Sequence, residues 1–231
     1  VARYNGGFTN KSHTPLAVKL DAAGNIYVGG SLQNATNAYE YVVLKYAPDG
    51  TRLYAARYCP TNGGTYPANS FALDGAGNTY LTGGIRGNYG EYVLGNGATV
   101  KFDAEGQVAW VAPYRGHDVA VDTNGNVYVA GFSSVDFATV KLNPGGSNVW
   151  ERFYDSGPGF TNVAQKVAVD ELGRVYVAGW EDWNQWTAPW CPGYCYDSRP
   201  VAVCYDSSGS TLWLNPYTTY GLAWGETVAV L

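Results

Sequence analysis

The chain has 231 residues, enough to bury a core of its own, with abundant glycine (30 residues), 15% aromatic residues and only 14% charged residues. This composition is typical of an all-β, turn-rich protein and excludes a helical or disordered one. The net charge of −5 argues against nucleic acid and anionic membrane surfaces as partners, and no apolar run approaches the ~20 residues that cross a bilayer.

A stretch of ten residues, Asp-x-x-Gly-Asn-x-Tyr-Val-x-Gly in its fullest form, occurs four times, beginning at Asp21, Asp74, Asp122 and Asp170. An apolar run precedes each copy, and a run that alternates around the tyrosine follows the glycine. This pattern predicts a β-hairpin in which Gly supplies the positive φ and Asp caps the backbone donors of the turn. The copy at Asp122 also has the oxygen spacing that begins a calcium loop, but it lacks the distal glutamate, so turn chemistry explains it better.

Two more predicted strands follow each hairpin. The third strands carry Lys45, Lys101, Lys141 and Cys204 at corresponding positions, and the fourth strands carry Tyr54, Trp110, Trp150 and Trp213 after a glycine turn. The four units cover about residues 16–58, 70–114, 117–154 and 165–217. Four-stranded antiparallel units repeated at a period near 50 residues predict an all-β fold, a β-propeller that forms a single domain over residues 1–231.

Both ends of the chain look like parts of a further blade. Residues 1–6 match the end of a fourth strand and residues 226–231 match a first strand, so we predict four complete blades plus a split extra blade. These strands can pack on their own ring, belong to a longer propeller, or be donated to a neighbouring copy and build a filament. The candidate assembly residues are Val1, Ala2, Arg3, Tyr4, Thr227, Val228, Ala229, Val230 and Leu231.

The wording of the repeat resembles a known family. The Asp-x-x-Gly-Asn-x-Tyr-Val-x-Gly stretch, with the later Val-Lys-Tyr, Gly-x-x-x-Trp and Arg-Tyr, is similar to the bacterial β-propeller repeat called the SBBP repeat, over nearly the whole chain. It departs from that pattern at Cys204 and at Tyr54. The resemblance implies a secreted or surface-attached bacterial protein with a structural or binding role, and it carries over no catalytic residues.

Cysteine usage also favours an oxidising, extracellular compartment. The four cysteines Cys59, Cys191, Cys195 and Cys204 are disulfide candidates, and both a Cys191–Cys195 staple and a bridge to Cys59 are sterically possible. The chain begins at Val1 and contains no Met, so we expect it to be processed or a fragment. Zinc is disfavoured because the cysteine spacing is poor for a metal site.

Residues 180–200 are predicted to be a long loop of blade four, rich in tryptophan. One interpretation is a platform that binds a sugar or a protein, and the other is a small core that covers the mouth of the ring. The candidate binding residues are Trp180, Trp183, Trp186, Trp190, Tyr194 and Tyr196.

Catalysis is poorly provided for in this sequence. His117, Asp118 and Lys166 are expected near the central mouth, but neighbouring residues of a strand point to opposite faces and make a poor general-base pair. We therefore predict a non-enzymatic, extracellular structural or interaction propeller without cofactor or metal, which associates with copies of itself. The alternatives are a secreted propeller that binds a glycan or protein ligand and, less favoured, a propeller lyase or hydrolase. No nucleic-acid partner and no membrane insertion are expected.

Overall fold

The computed structural model describes residues 4, 6–7, 10–60, 67–84, 98–133, 136–188 and 191–216. Within these residues the chain forms sixteen strands in four antiparallel sheets, and each sheet contains four strands that are consecutive in the sequence. Among the same residues, no helix has the length and apolar character needed to cross a membrane.

The sheets are the blades of the propeller, numbered here in chain order. Blade 1 contains β1 (His13–Leu20), β2 (Ile26–Gln33), β3 (Tyr39–Tyr46) and β4 (Arg52–Tyr58). Blade 2 contains β5 (Ala68–Leu73), β6 (Thr79–Gly83), β7 (Thr99–Phe102) and β8 (Val108–Ala112). Blade 3 contains β9 (Asp118–Val121), β10 (Val127–Ser133), β11 (Asp136–Leu142) and β12 (Asn148–Tyr154). Blade 4 contains β13 (Asn162–Val169), β14 (Val175–Ala188), β15 (Cys191–Tyr205) and β16 (Thr211–Pro216).

The repeated aspartate holds the turn between the first and second strands of every blade. In blade 3, one Asp122 oxygen accepts hydrogen bonds from the backbone N–H groups of Asn124 and Asn126, at 2.9 and 2.8 Å. The other oxygen accepts from the Asn126 amide at 2.8 Å and from the Tyr128 hydroxyl at 3.0 Å, while Gly125 has a φ of +80°. These contacts occupy both oxygens of the carboxylate, so the motif serves to form the turn.

The core lies between successive blades. One apolar cluster joins blades 1 and 2, a second joins blades 2 and 3, and a third joins blades 3 and 4. The motif tyrosines Tyr27, Tyr80 and Tyr128 are fully buried in these layers. Blades 2 and 3 thus each present one face to the blade before and the opposite face to the blade after.

The predicted β-propeller of four-stranded antiparallel blades is confirmed. The split extra blade lies outside the described residues, apart from Tyr4 and Gly6. One prediction is wrong in its secondary structure: residues 180–200 are not a loop, because β14 and β15 continue through most of this stretch. The first three tryptophans of this stretch recur every third residue, which is not the two-residue period of a strand. Strand β14 accommodates this spacing with register shifts between Asp182 and Asn184 and between Trp186 and Ala188.

Candidate functional site

A joint between neighbouring blades is repeated along the chain. The aromatic residue of each outer strand lies against the glycine of the next blade's last turn: Tyr54 against Gly106, Trp110 against Gly146 and Trp150 against Gly209. A Cβ atom added to these glycines would lie 2.9, 2.7 and 2.9 Å from the aromatic ring. Only glycine therefore allows the ring to approach this closely.

The two tryptophans of this joint also donate a hydrogen bond across it. The indole Nε1 of Trp110 donates to the carbonyl oxygen of Pro144 at 2.9 Å, and that of Trp150 donates to Ser207 at 3.2 Å. Pro144 and Ser207 are each the second residue of the accepting turn. The contact therefore pairs one donor with one fixed acceptor, two residues before the joint glycine.

Blade 4 presents the donor half of this joint to solvent. We call the surface formed by Tyr176, Ala178, Cys204 and Trp213 the forward face of blade 4; its cross-strand pairs are Tyr176 with Cys204 and Cys204 with Trp213. Trp213 is 45% exposed, whereas its counterpart Trp150 is 6% exposed. Its ring is held 6.3 Å from the ring of Tyr176, which is itself partly exposed. The Trp213 ring thus packs on Tyr176 as Trp150 packs on Tyr128, although no turn of a further blade covers it in the described part of the chain.

Blade 1 presents the acceptor half. We call the surface formed by Val18, Leu20, Ile26, Val28 and Leu44 the rear face of blade 1. Val18 is 63% exposed, while residues at the same register position in blades 2, 3 and 4 are 5%, 5% and 6% exposed; these are Phe71, Val119 and Val167. The rear face is therefore an apolar sheet surface that every other blade buries.

A cavity of about 540 Å³ lies on the rear face and extends to Gly50, the glycine of the last turn of blade 1. A Cβ atom added to Gly50 would have no neighbour within 4 Å among the described residues, in contrast to the three glycines that receive an aromatic ring. Tyr4, one of the predicted assembly residues, borders the cavity and accepts a hydrogen bond from Arg57 Nε at 2.7 Å. The N-terminal side of the chain therefore contacts this face at its edge.

Cys204 replaces the lysine of the other blades on the forward face. In blades 1 to 3 the lysine ammonium lies over the ring of the motif tyrosine, and for Lys141 and Tyr128 the distance from the ammonium to the ring centroid is 5.4 Å. Lys141 also donates to the Ser207 carbonyl of the next blade at 2.9 Å. Cys204 is a free thiol that is 1% exposed, and burial raises its pKa.

The polar residues expected at the central mouth hold blades together. Asp118 accepts a hydrogen bond from the Ser70 hydroxyl of blade 2 at 2.5 Å and from the Val167 backbone N–H of blade 4 at 3.0 Å. His117 points elsewhere, with its Nδ1 atom 3.0 Å from the Ala164 carbonyl. Burial, more than any neighbouring charge, lowers the pKa of His117. Asp118 thus connects blade 3 to blades 2 and 4, and His117 connects it to blade 4.

The long hairpin of β14 and β15 is anchored by a buried polar cluster. Glu181, which is fully buried, accepts from Arg199 Nε at 2.5 Å and from the Tyr154 hydroxyl of blade 3. Asp182 accepts from the Ser198 hydroxyl at 2.8 Å, and burial raises the pKa of its carboxyl group. These cross-strand contacts fix the hairpin where it leaves the blade.

Several predicted site residues are only partly described. Trp180 is partly buried and lies on the side of β14 that carries Tyr176. The remaining aromatic candidates have backbone but no described side chain, or lie outside the described residues; they are Trp183, Trp186, Trp190, Tyr194 and Tyr196. The predicted assembly residues 1–3 and 227–231 lie outside as well, so their role stays a prediction.

The structure does not show a disulfide at the cysteines whose side chains it describes. Cys59 and Cys204 are free thiols, the first exposed and the second buried. The side chains of Cys191 and Cys195 lie outside the described part of the chain, so a bridge between them stays a prediction. Among the described residues, no group of three or more His, Cys, Asp or Glu residues could hold a metal ion.

Sequence reasoning missed the two end faces. Their residues carry the same apolar pattern as their buried counterparts, so no signal in Val18 or Leu44 distinguishes them. Two signals in the sequence point to these faces. Cys204 replaces the lysine of the other repeats, and, in the series of four repeats, Gly50 is the first of the glycines that precede the outer strands and Trp213 is the last outer-strand aromatic residue.

Comparisons with solved structures gave distant similarities. A eukaryotic initiation factor is 10% identical with a TM-score of 0.46, over 91% of this chain and 57% of the other. The β-propeller domain of the Trilobed protease from Pyrococcus furiosus, described as having an open velcro topology, is 8% identical with a TM-score of 0.47, over 91% and 60%. Apocarotenoid oxygenase from Synechocystis is 10% identical with a TM-score of 0.44, over 96% and 67%. The chain thus spans 57–60% of the length of the first two structures.

A search of the curated proteins found no match. A family model described as a beta-propeller repeat (SBBP) matches residues 114–138. This segment begins at the end of blade 2 and contains β9, the motif turn at Asp122, β10 and the start of β11. The resemblance inferred from the sequence is thereby confirmed for residues 114–138, which carry the SBBP beta-propeller repeat.

Proposed function

We propose that this protein is a non-enzymatic structural or interaction propeller that works outside the cell and associates with further copies of itself. One observation carries the proposal. Among the described residues, blades 1 and 4 expose the kinds of apolar surface that the chain buries at three contacts between its blades. Contiguous exposed apolar surface on a soluble protein marks an interaction site, because leaving it in water is unfavourable.

The residues that are richest in catalytic chemistry support the non-enzymatic part of the proposal. Each carboxylate oxygen of Asp118 accepts a hydrogen bond, one from blade 2 and one from blade 4, and His117 contacts a backbone carbonyl. The extracellular location rests on the SBBP repeat, since the resemblance implies secreted or surface-attached proteins.

The test is the molar mass of the purified chain by light scattering from about 1 to 100 µM, with electron microscopy of the same samples. We expect the mass to rise above the 24.8 kDa of one chain as concentration increases, and regular assemblies to be visible. A mass of 24.8 kDa at every concentration would refute self-association.

A second candidate function is favoured by the hairpin of β14 and β15. These strands have 14 and 15 residues, about twice the length of most other strands, and an ion pair between the buried Glu181 and the partly exposed Arg199 anchors them. A projecting hairpin rich in tryptophan is suited to stacking on a sugar face or anchoring a protein. A glycan-array screen of the wild type beside the triple variant Trp183→Ala, Trp186→Ala, Trp190→Ala tests the sugar ligand. Equal or absent signals for both proteins would reject it.

A further inference from the structure

We infer that the forward face of blade 4 of one copy binds the rear face of blade 1 of a second copy, so that the copies join head to tail. This inference rests on the proposed self-association and names its two surfaces. The joint is the one that the chain already makes three times within itself.

The first argument is that blade 4 carries a donor half, and blade 1 an acceptor half, of the repeated joint that no other blade fills among the residues that the structure describes. Inside the chain, Trp150 lies against Gly209 and its indole donates to the carbonyl of Ser207. Trp213 occupies the position of Trp150, four residues after the turn glycine, and is 45% exposed. Residues 47–50 of blade 1 form the same hydrogen-bonded turn as residues 206–209, with the backbone N–H of the fourth residue donating to the first carbonyl at 2.9 Å in both.

The acceptor side is open in the way that the joint requires. Gly50 has a φ of +87° and no atom of the described residues within 4 Å of an added Cβ, so a tryptophan ring can approach it as Trp150 approaches Gly209. Pro48 is the second residue of that turn and offers the carbonyl that corresponds to the acceptor Ser207. The donor and the acceptor are thus both present, and they lie on opposite ends of one chain.

The second argument is the apolar match of the two faces. Between blades 3 and 4, the forward-facing Tyr128 and Trp150 pack on Val175, Val177 and Val203, which are at most 2% exposed. On the rear face of blade 1, the same register positions are occupied by Ile26, Val28 and Leu44, which are only partly buried. On the forward face of blade 4, Tyr176 and Trp213 occupy the positions of Tyr128 and Trp150.

The geometry makes the contact heterologous. Two different surfaces meet, so a bound pair still has one open rear face, on the first copy, and one open forward face, on the second. Such a contact propagates into an open chain, or into a ring where the rotation closes, whereas a contact between two identical surfaces stops at a dimer. The inference therefore predicts assemblies larger than dimers.

The experiment blocks one face at a time. Val18→Arg places a charge on the rear face at a residue that is 63% exposed, and Trp213→Arg places one on the forward face. Both charges are positive, so the two blocked faces repel each other. Val149→Arg, at a residue 51% exposed on β12 away from the end faces, is the matched control. Leu20→Arg, 64% exposed, is a second rear-face variant, and circular dichroism checks that each variant is folded.

Each face variant alone should remain at 24.8 kDa, while the Val149→Arg control should associate as the wild type does. An equimolar mixture of Val18→Arg and Trp213→Arg should form a discrete species of twice 24.8 kDa, because one intact forward face meets one intact rear face. Continued assembly of the folded face variants, a mixture that stays monomeric, or dimers formed by one variant alone would each overturn the inference.

The outcomes separate this inference from the proposed function. If the wild type stays monomeric, self-association itself fails. If the wild type assembles and the face variants assemble equally well, only the head-to-tail joint fails. If deletion of residues 226–231 abolishes assembly while both face variants retain it, a donated terminal strand is the contact and the joint inferred here is wrong.

Discussion

Replacing Trp150 or Trp213 by alanine should lower the unfolding free energy by different amounts, because Trp150 lies in a joint between two blades and Trp213 lies on an exposed face. Trp150 is 6% exposed, donates to the Ser207 carbonyl and packs 5.9 Å from the Tyr205 ring. Truncating a buried aromatic residue of this size costs about 3–5 kcal/mol of unfolding free energy. Trp213 is 45% exposed, so its burial is little more than half as large and no enclosed cavity is left behind. Its truncation in the monomer should cost about 2 kcal/mol or less.

The assay is urea unfolding followed by far-ultraviolet circular dichroism, which does not depend on the deleted indoles. At concentrations where the chain is monomeric, Trp150→Ala should lose at least about 1 kcal/mol more than Trp213→Ala. At concentrations where the chain assembles, the cost of Trp213→Ala should rise, because binding between copies adds to the stability of the wild type. Equal costs for the two variants in the monomer would refute the reasoning that only Trp150 lies in a closed joint.

Three further predictions concern single side chains. Asp122→Ala should cost about 2–3 kcal/mol of unfolding free energy, since it removes the acceptor of four hydrogen bonds and leaves the buried Tyr128 hydroxyl without that partner. The control Asp49→Ala, on an exposed turn, should change the urea midpoint little. Burial lowers the pKa of His117, so as the pH falls the unfolded chain is protonated before the folded chain, and the free energy of unfolding should decrease below about pH 6.5. His117→Gln should weaken this dependence of the unfolding free energy on pH between pH ~7.5 and ~5. An unchanged dependence would contradict the assignment. Cys204→Lys should tighten head-to-tail association by about tenfold in light scattering, because the ammonium group would donate to the turn of the next copy as Lys141 donates to Ser207. No gain would argue against the joint.

The fold was predictable because the turn and the strands of each repeat depend on residues that are close together in the sequence. Gly125 and Asp122 are demanded by the turn itself, and the alternation around Tyr128 by the strand that follows. Four copies of this pattern fix four hairpins, and the third and fourth strands follow by the same argument.

The end faces and the hairpin were not predictable for a different reason. Whether Val18 is buried like Val119 depends on what lies beyond blade 1, and the local pattern of apolar residues contains no such information. The extension of β14 and β15 depends on cross-strand contacts such as Glu181 with Arg199, which join residues 18 positions apart. Reading residues 180–200 in order gave their composition but not their pairing.

The Asp118 contacts also bear on how the molecule opens. Because this one carboxylate reaches Ser70 and Val167, it ties blades 2, 3 and 4 at the axis, while blade 1 is held by its face and by the 2.7 Å bond from the Ala68 N–H to the Ser31 hydroxyl. In an array where each unit contacts its neighbours, the unit with the fewest ties frays first. The amide protons of β1–β4 should therefore exchange with solvent deuterium ahead of those of the other blades, and under tension blade 1 would peel away while the remaining three stayed folded.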